Sequence, residues 1–148
     1  MLDVVILAAG QGSRMKSDLP KVLHPVGGRP MVQHVIDAAR KHAERIILVV
    51  GHGQERVRNA LAGQDLIFVE QTEQLGTGHA LAQALPHLMP GGVTLMLYGD
   101  GPLMADADLQ FLGESGKNGE YALLSADLAV PTGISRIIRA NIQPSAIV

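Results

Sequence analysis

Short continuous apolar runs recur along the chain, and the stretches between them carry apolar residues at helical spacing. Val4–Ala8 predicts a buried strand, followed by a long loop with Gly and Lys that continues to Gly28. Pro30 stands at a first helical position, and Met31, Val32, Val35, Ile36 and Ala39 form the apolar stripe of a helix reaching about His42. A second buried strand, Arg45–Val50, is stopped by Gly51-His52-Gly53. A short helix through Val57 and Leu61 and a third strand, Leu66–Glu70, come next.

Gly76-Thr77-Gly78 opens another helix, with Ala80, Leu81, Ala84 and Leu85 on its apolar side until Pro86. Val93–Tyr98 is a fourth strand ending in Gly99-Asp100, and a helix near Asp106–Leu112 leads to a further strand candidate, Tyr121–Ala126. Ile134–Arg139 reads as a strand and Ala146-Ile147-Val148 as the start of another, which suggests part of a longer protein. Apolar strands alternating with helices predict an α/β fold: a Rossmann-like, mostly parallel sheet with helices on both faces and right-handed crossovers.

Composition narrows the possible functions. A chain of 148 residues, 47% apolar and 18% charged, fits one folded domain with a real core. A net charge of -2 offers no attraction to nucleic acid or an anionic membrane, and 3% aromatics leave no stacking platform for single strands. The absence of cysteine excludes disulfides, zinc–thiolate sites and Cys nucleophiles, in keeping with a cytoplasmic protein. Met1-Leu2-Asp3 carries an acid where a secretory segment would carry positive charge, so none is expected, and no apolar run reaches membrane-spanning length.

Three constellations carry the chemistry, each following a strand. Leu7-Ala8-Ala9-Gly10-Gln11-Gly12-Ser13-Arg14-Met15, closed by Pro20-Lys21, offers unhindered backbone N–H groups, a guanidinium and a mobile ammonium. A polyphosphate asks for those groups, although a solvated turn is the simpler alternative for any one such loop. A dinucleotide fingerprint would need glycine where Met15 stands and an acid where Val50-Gly51-His52 ends the second strand; no Walker Gly-Lys-Ser/Thr run exists. Leu97-Tyr98-Gly99-Asp100 places a carboxylate beyond a strand's carboxyl end, where it could hold Mg²⁺ or merely start a turn before Pro102. In Glu70–Ala80, the Gln71 amide suits a pyrimidine edge, and Thr77 suits either a ligand or a helix cap. The six histidines show no metal-ligand spacing and read as solvated or structural.

Taken in order with Leu19-Pro20-Lys21-Val22-Leu23, Gly76-Thr77-Gly78-His79-Ala80 and Pro131-Thr132-Gly133, these motifs resemble the sugar-1-phosphate nucleotidyltransferases. Within them the match is to the N-terminal part of the bacterial bifunctional N-acetylglucosamine-1-phosphate uridyltransferase/glucosamine-1-phosphate acetyltransferase family. The resemblance implies that Leu7, Ala8, Ala9 and Gly10 contact UTP while Gln11, Gly12, Ser13 and Arg14 close over its triphosphate. Arg14 and Lys21 would balance phosphate charge, with Lys21 near the α-phosphate. Gln71, Gly76 and Thr77 would hold uracil and ribose. Tyr98, Gly99, Gly133 and Ser135 would face the sugar, and Asp100 would ligate Mg²⁺.

The implied reaction joins UTP and N-acetylglucosamine-1-phosphate into UDP-N-acetylglucosamine and pyrophosphate. The chain departs from the family pattern at Gly101 and at Ile134-Ser135, where the family has a hydrophobic residue and Tyr-Gly. Residues 1–148 would form only the N-terminal portion of the nucleotidyltransferase domain, without the acetyltransferase β-helix that builds the family's trimer. The expectation is then a monomer with a half-built sugar site and weak or no turnover.

Overall fold

The computed structural model describes residues 1–130, 137–140 and 143–147. Its centre is a parallel sheet of four strands in the order β5-β4-β1-β6: Ile67–Glu70, Arg45–Val50, Leu2–Ala8 and Val93–Tyr98. A small hairpin, β2 (Pro25–Val26) and β3 (Arg29–Pro30), lies between β1 and the first helix, α1 (Met31–Ala39). Helices α2 (Gln54–Ala60), α3 (Thr77–Ala84) and α4 (Asp106–Lys117) follow β4, β5 and β6. β7 (Ile137–Ala140) and β8 (Gln143–Ile147) pair antiparallel with each other.

Every residue of β1 is buried, as a strand with partners on both edges and cover on both faces must be. Its pleat divides the core in two. Val4, Ile6 and Ala8 meet Ile46, Leu48 and Val50 under Val32, Val35 and Ile36 of α1, Val57 of α2 and Leu109 of α4. Val5 and Leu7 meet Ile47 and Val49 under Ala80 and Ala84 of α3. The side with α3 is covered by small alanines, which brings that helix close to the sheet.

Register sets where the strands finish. Ala8 lies beside Val50, Val50 beside Glu70, and Leu7 beside Tyr98, so the four carboxyl ends share one edge. The opposite edge is tied by Asp3, only 1% exposed, which accepts hydrogen bonds from Arg45 Nε and Nη2 at 2.8 and 2.6 Å and from the Met89 N–H at 2.7 Å. The Arg45 guanidinium holds the Asp3 carboxyl below the usual carboxylate range; burial opposes this and the Met89 N–H assists.

Several element boundaries differ from the sequence reading. Pro30 caps α1 from an extended conformation instead of opening it, and the helix ends at Ala39. The loop before it contains the β2–β3 hairpin, and α4 runs on to Lys117. Tyr121–Ala126 forms no strand: Tyr121, Leu123 and Leu124 are exposed and the sheet ends at β6. Apolar content alone does not make a strand, which needs a paired edge as well. Of the two carboxyl-terminal strand expectations, the described parts are Ile137–Ala140 and Gln143–Ile147; residues 131–136, 141–142 and 148 lie outside the described residues.

Replacing Arg45 by Met should lower the midpoint of urea unfolding, because it strands a buried carboxylate. Asp3 binds its proton less readily in the folded chain than in the unfolded one. Its stabilisation is therefore complete above the ordinary value of 3.8 and is lost as pH falls through the lower folded value. Asp3→Asn should accordingly flatten the stability curve below pH about 4, and an unaltered acid limb would contradict this.

Candidate functional site

At the shared carboxyl edge a cavity of about 270 Å³ opens, close to the lower end of the range for small-ligand sites. One wall is backbone and small side chains, Leu7 to Gly10, where β1 runs out. A second is Gln71, Gln74, Gly76, Thr77 and Ala80, from the turn between β5 and α3 and the first turn of α3. The third is Lys21, Val22, Tyr98 and Asp100. Ligands in open α/β sheets bind at such an edge, beyond the ends of the strands.

Lys21 is placed by its neighbours. The Leu23 N–H donates to the Pro20 carbonyl at 2.9 Å, closing a short 3₁₀ turn, and the buried side chains of Val22 and Leu23 anchor it in the core. Pro20 is buried against Gly53, whose φ of +67° suits glycine and whose missing Cβ would stand 2.7 Å from Pro20 Cγ. Gly12 imposes the same kind of constraint from the other side: φ is +63°, and a Cβ there would stand 2.6 Å from Lys21 Cβ. Lys21 Nζ donates to Asp100 Oδ2 across the cavity mouth, with both side chains about one-third exposed (36% and 32%).

Gln71 continues the β5 ladder through its N–H, which donates to the Val50 carbonyl at 2.7 Å, and its side chain is almost wholly enclosed. Gly76, not Thr77, occupies the cap position of α3, and no side chain caps that helix. Thr77 is the first helical residue and lines the cavity. The capping alternative for Thr77 is thereby corrected.

The fold thus brings together Leu7, Ala8, Ala9, Gly10, Lys21, Gln71, Gly76, Thr77, Tyr98 and Asp100. Gly99 lies behind the wall, its N–H donating to the Leu7 carbonyl at 2.9 Å. Gln11, Gly12 and Arg14 belong to the loop outside the cavity lining; Ser13 and Arg14 lie in a 3₁₀ turn, and Gln11 and Arg14 are exposed. Gly133 and Ser135 fall outside the described residues. Val22, Gln74 and Ala80 line the cavity but were not singled out from sequence. All three sit inside the motifs that were, so adjacency was the available signal.

Asp100 is the one carboxylate among the cavity-lining residues, and no group of three or more His, Asp or Glu side chains able to hold a metal occurs among the described residues. A single carboxylate suits a hard divalent cation whose remaining positions are filled by ligand oxygens and water.

Residues 4–140 match the profile of the MobA-like NTP transferase domain. The chain belongs to that family. As a MobA-like NTP transferase it is 56% identical over 140 residues to the bifunctional protein GlmU of Cellvibrio japonicus, covering 94% of this chain and 31% of that protein. The chain spans about a third of the length of the curated relatives it matches. Among solved structures it superposes on a nucleotidyl transferase from Methanothermobacter thermautotroptrophicus with a TM-score of 0.70 and 27% identity, over 77% of this chain and 57% of that one. Rv0371C of Mycobacterium tuberculosis, solved in complex with manganese, gives a TM-score of 0.67 and 26% identity over 79% and 60% of the two chains.

Among the described residues no helix is long and apolar enough to cross a membrane. The family is one of nucleotidyl transferases, and the structure agrees with the α/β architecture read from sequence.

Gly12→Ala should shift Lys21, because the clash is with its Cβ and not with a flexible tip. A nucleoside triphosphate should then bind about tenfold or more weakly in a titration calorimeter, with a stability loss of about 1 kcal/mol or more from the strained φ. Unchanged affinity would show that Lys21 is not held by Gly12.

Proposed function

We propose that this chain carries the UTP site of a uridyltransferase that moves UMP to N-acetylglucosamine-1-phosphate, giving UDP-N-acetylglucosamine and pyrophosphate. The observation that carries the reading is one cavity with a buried amide at one wall and a lysine–carboxylate pair at the other. The amide suits a pyrimidine and the pair suits a metal-bound phosphate chain. Identity of 56% to a GlmU protein supports the choice of uridine and of the amino sugar. By the same likeness, residues 1–148 form the N-terminal portion of the nucleotidyltransferase domain, and the acetyltransferase β-helix and its trimer belong to the longer protein.

The chemistry is an in-line displacement. An oxygen of the sugar phosphate forms a bond to the α-phosphorus of UTP as the bond from that phosphorus to the bridging oxygen of pyrophosphate breaks. A phosphate nucleophile is already ionised near neutrality, so no side chain has to take its proton. Leu7 to Gly10 lie against the nucleotide, and Gln71, Gly76 and Thr77 take the base and ribose. Lys21 neutralises charge on the α-phosphate, and Arg14, on its exposed turn, approaches the outer phosphates. Tyr98 and Gly99 face the sugar, with Gly133 and Ser135 beyond them. Asp100 would hold Mg²⁺, which when bound supplies positive charge to the phosphates. Lys21 then has phosphate as an alternative partner to the carboxylate.

The rate enhancement on this account comes from alignment and charge, with no covalent intermediate. Lys21→Met should lower kcat by about 10²–10³-fold with a smaller change in KM for UTP, as expected for a group acting mainly on the transition state. In a thermal-shift comparison of UTP, CTP, GTP and ATP with Mg²⁺, UTP should stabilise the chain most. Stabilisation by a purine nucleotide alone would sink the uridine assignment.

A further inference from the structure

The side chain of Gln71 is held in one orientation by the Gly76 carbonyl and by His79, which is not among the residues lining the cavity. Its Nε2 lies 3.1 Å from the Gly76 carbonyl and 3.1 Å from His79 Nδ1. A carbonyl oxygen can only accept, so the amide nitrogen has to face it, and both amide hydrogens are engaged. His79 Nδ1 then accepts the second hydrogen, which places the imidazole proton of a neutral ring on Nε2. Gln83 Nε2, one helical turn further along α3, lies 3.1 Å from that atom and 3.3 Å from the His79 carbonyl, so the Gln83 amide has to turn its Oε1 to the ring when Nδ1 accepts from Gln71. The Gln71 side chain is 3% exposed and lines the cavity, and among the described residues its Oε1 accepts no hydrogen bond from the protein.

We infer that His79 is a positioning residue for base specificity: with Gly76 it turns the Gln71 amide so that Oε1 alone is offered to the base. An acceptor fixed in that place matches the N3–H donor of uracil. Cytosine presents an unprotonated N3 there, and two lone pairs would face each other with no means of turning the amide. A site built to hydrogen-bond one partner rejects an analogue that leaves the group unpaired. The inference rests on the pyrimidine reading of the site and adds to it the selection between two pyrimidines and the residue that enforces it.

The test compares binding of UTP, CTP and inorganic tripolyphosphate to the full chain, its His79→Ala and His79→Asn variants, and Gln71→Ala. The unaltered chain should favour UTP over CTP by about tenfold or more. His79→Ala should cut that ratio at least threefold by raising UTP Kd and lowering CTP Kd, while tripolyphosphate affinity stays the same. His79→Asn, whose Oδ1 can accept in place of Nδ1, should restore the ratio. In a Gln71→Ala background His79→Ala should change the ratio no further. An unchanged UTP/CTP ratio in His79→Ala overturns the inference while leaving the uridine reading intact. So does an equal loss for all three ligands, since that is what a structural defect produces. A native chain that binds tripolyphosphate yet shows no preference for UTP overturns both.

Discussion

The site depends on one constraint: β1 is paired on both edges and buried on both faces, so its position along the sheet cannot slide. Shifting a strand by one residue exchanges the faces of its side chains, and here both faces are occupied by tightly packed cores. With β1 fixed against β4 and β6, the ends Ala8, Val50 and Tyr98 stand side by side. The backbone from Leu7 to Gly10, the turn after Glu70 and the carboxylate of Asp100 then reach one cavity from different stretches of the sequence. The Asp3–Arg45 pair, with its carboxylate buried, ties the opposite ends of β1 and β4, away from the cavity.

Charge in the cavity is balanced before any ligand arrives. Lys21 and Asp100 face each other, so neither stands as an isolated ion in a partly enclosed space. A metal taken by the carboxylate and phosphates taken by the ammonium would separate the pair while leaving each group compensated. On the proposed reading, that economy explains how a chain without cysteine, and without a metal-holding cluster of acidic residues among those described, would present a phosphate site. The Gln71 end of the cavity works differently: it is neutral, enclosed and organised by hydrogen-bond direction rather than by charge.

Much of this was legible in the sequence because the strands are continuous apolar runs and the motifs follow them directly. Val4–Ala8, Arg45–Val50, Leu66–Glu70 and Val93–Tyr98 mark the four sheet strands to within two residues, and site residues follow all of them except Arg45–Val50. Tyr121–Ala126 shows the limit of that signal, since its apolar residues have no sheet edge to join and stay exposed. Arg14 shows another: spacing places a cation near a phosphate loop but does not say whether its side chain lines the cavity, and it does not. Which way an amide faces is also invisible in a sequence. Only the Gly76 carbonyl and His79, brought beside Gln71 by the turn into α3, reveal it.

The account stands or falls on which phosphorus is attacked. UTP carrying a labelled α-phosphorus, mixed with N-acetylglucosamine-1-phosphate, Mg²⁺ and the full-length protein, should place the label in the nucleotide sugar as one unlabelled pyrophosphate is released per transfer. Label recovered as free UMP, or a sugar product carrying phosphate from the γ-position of UTP, would contradict it.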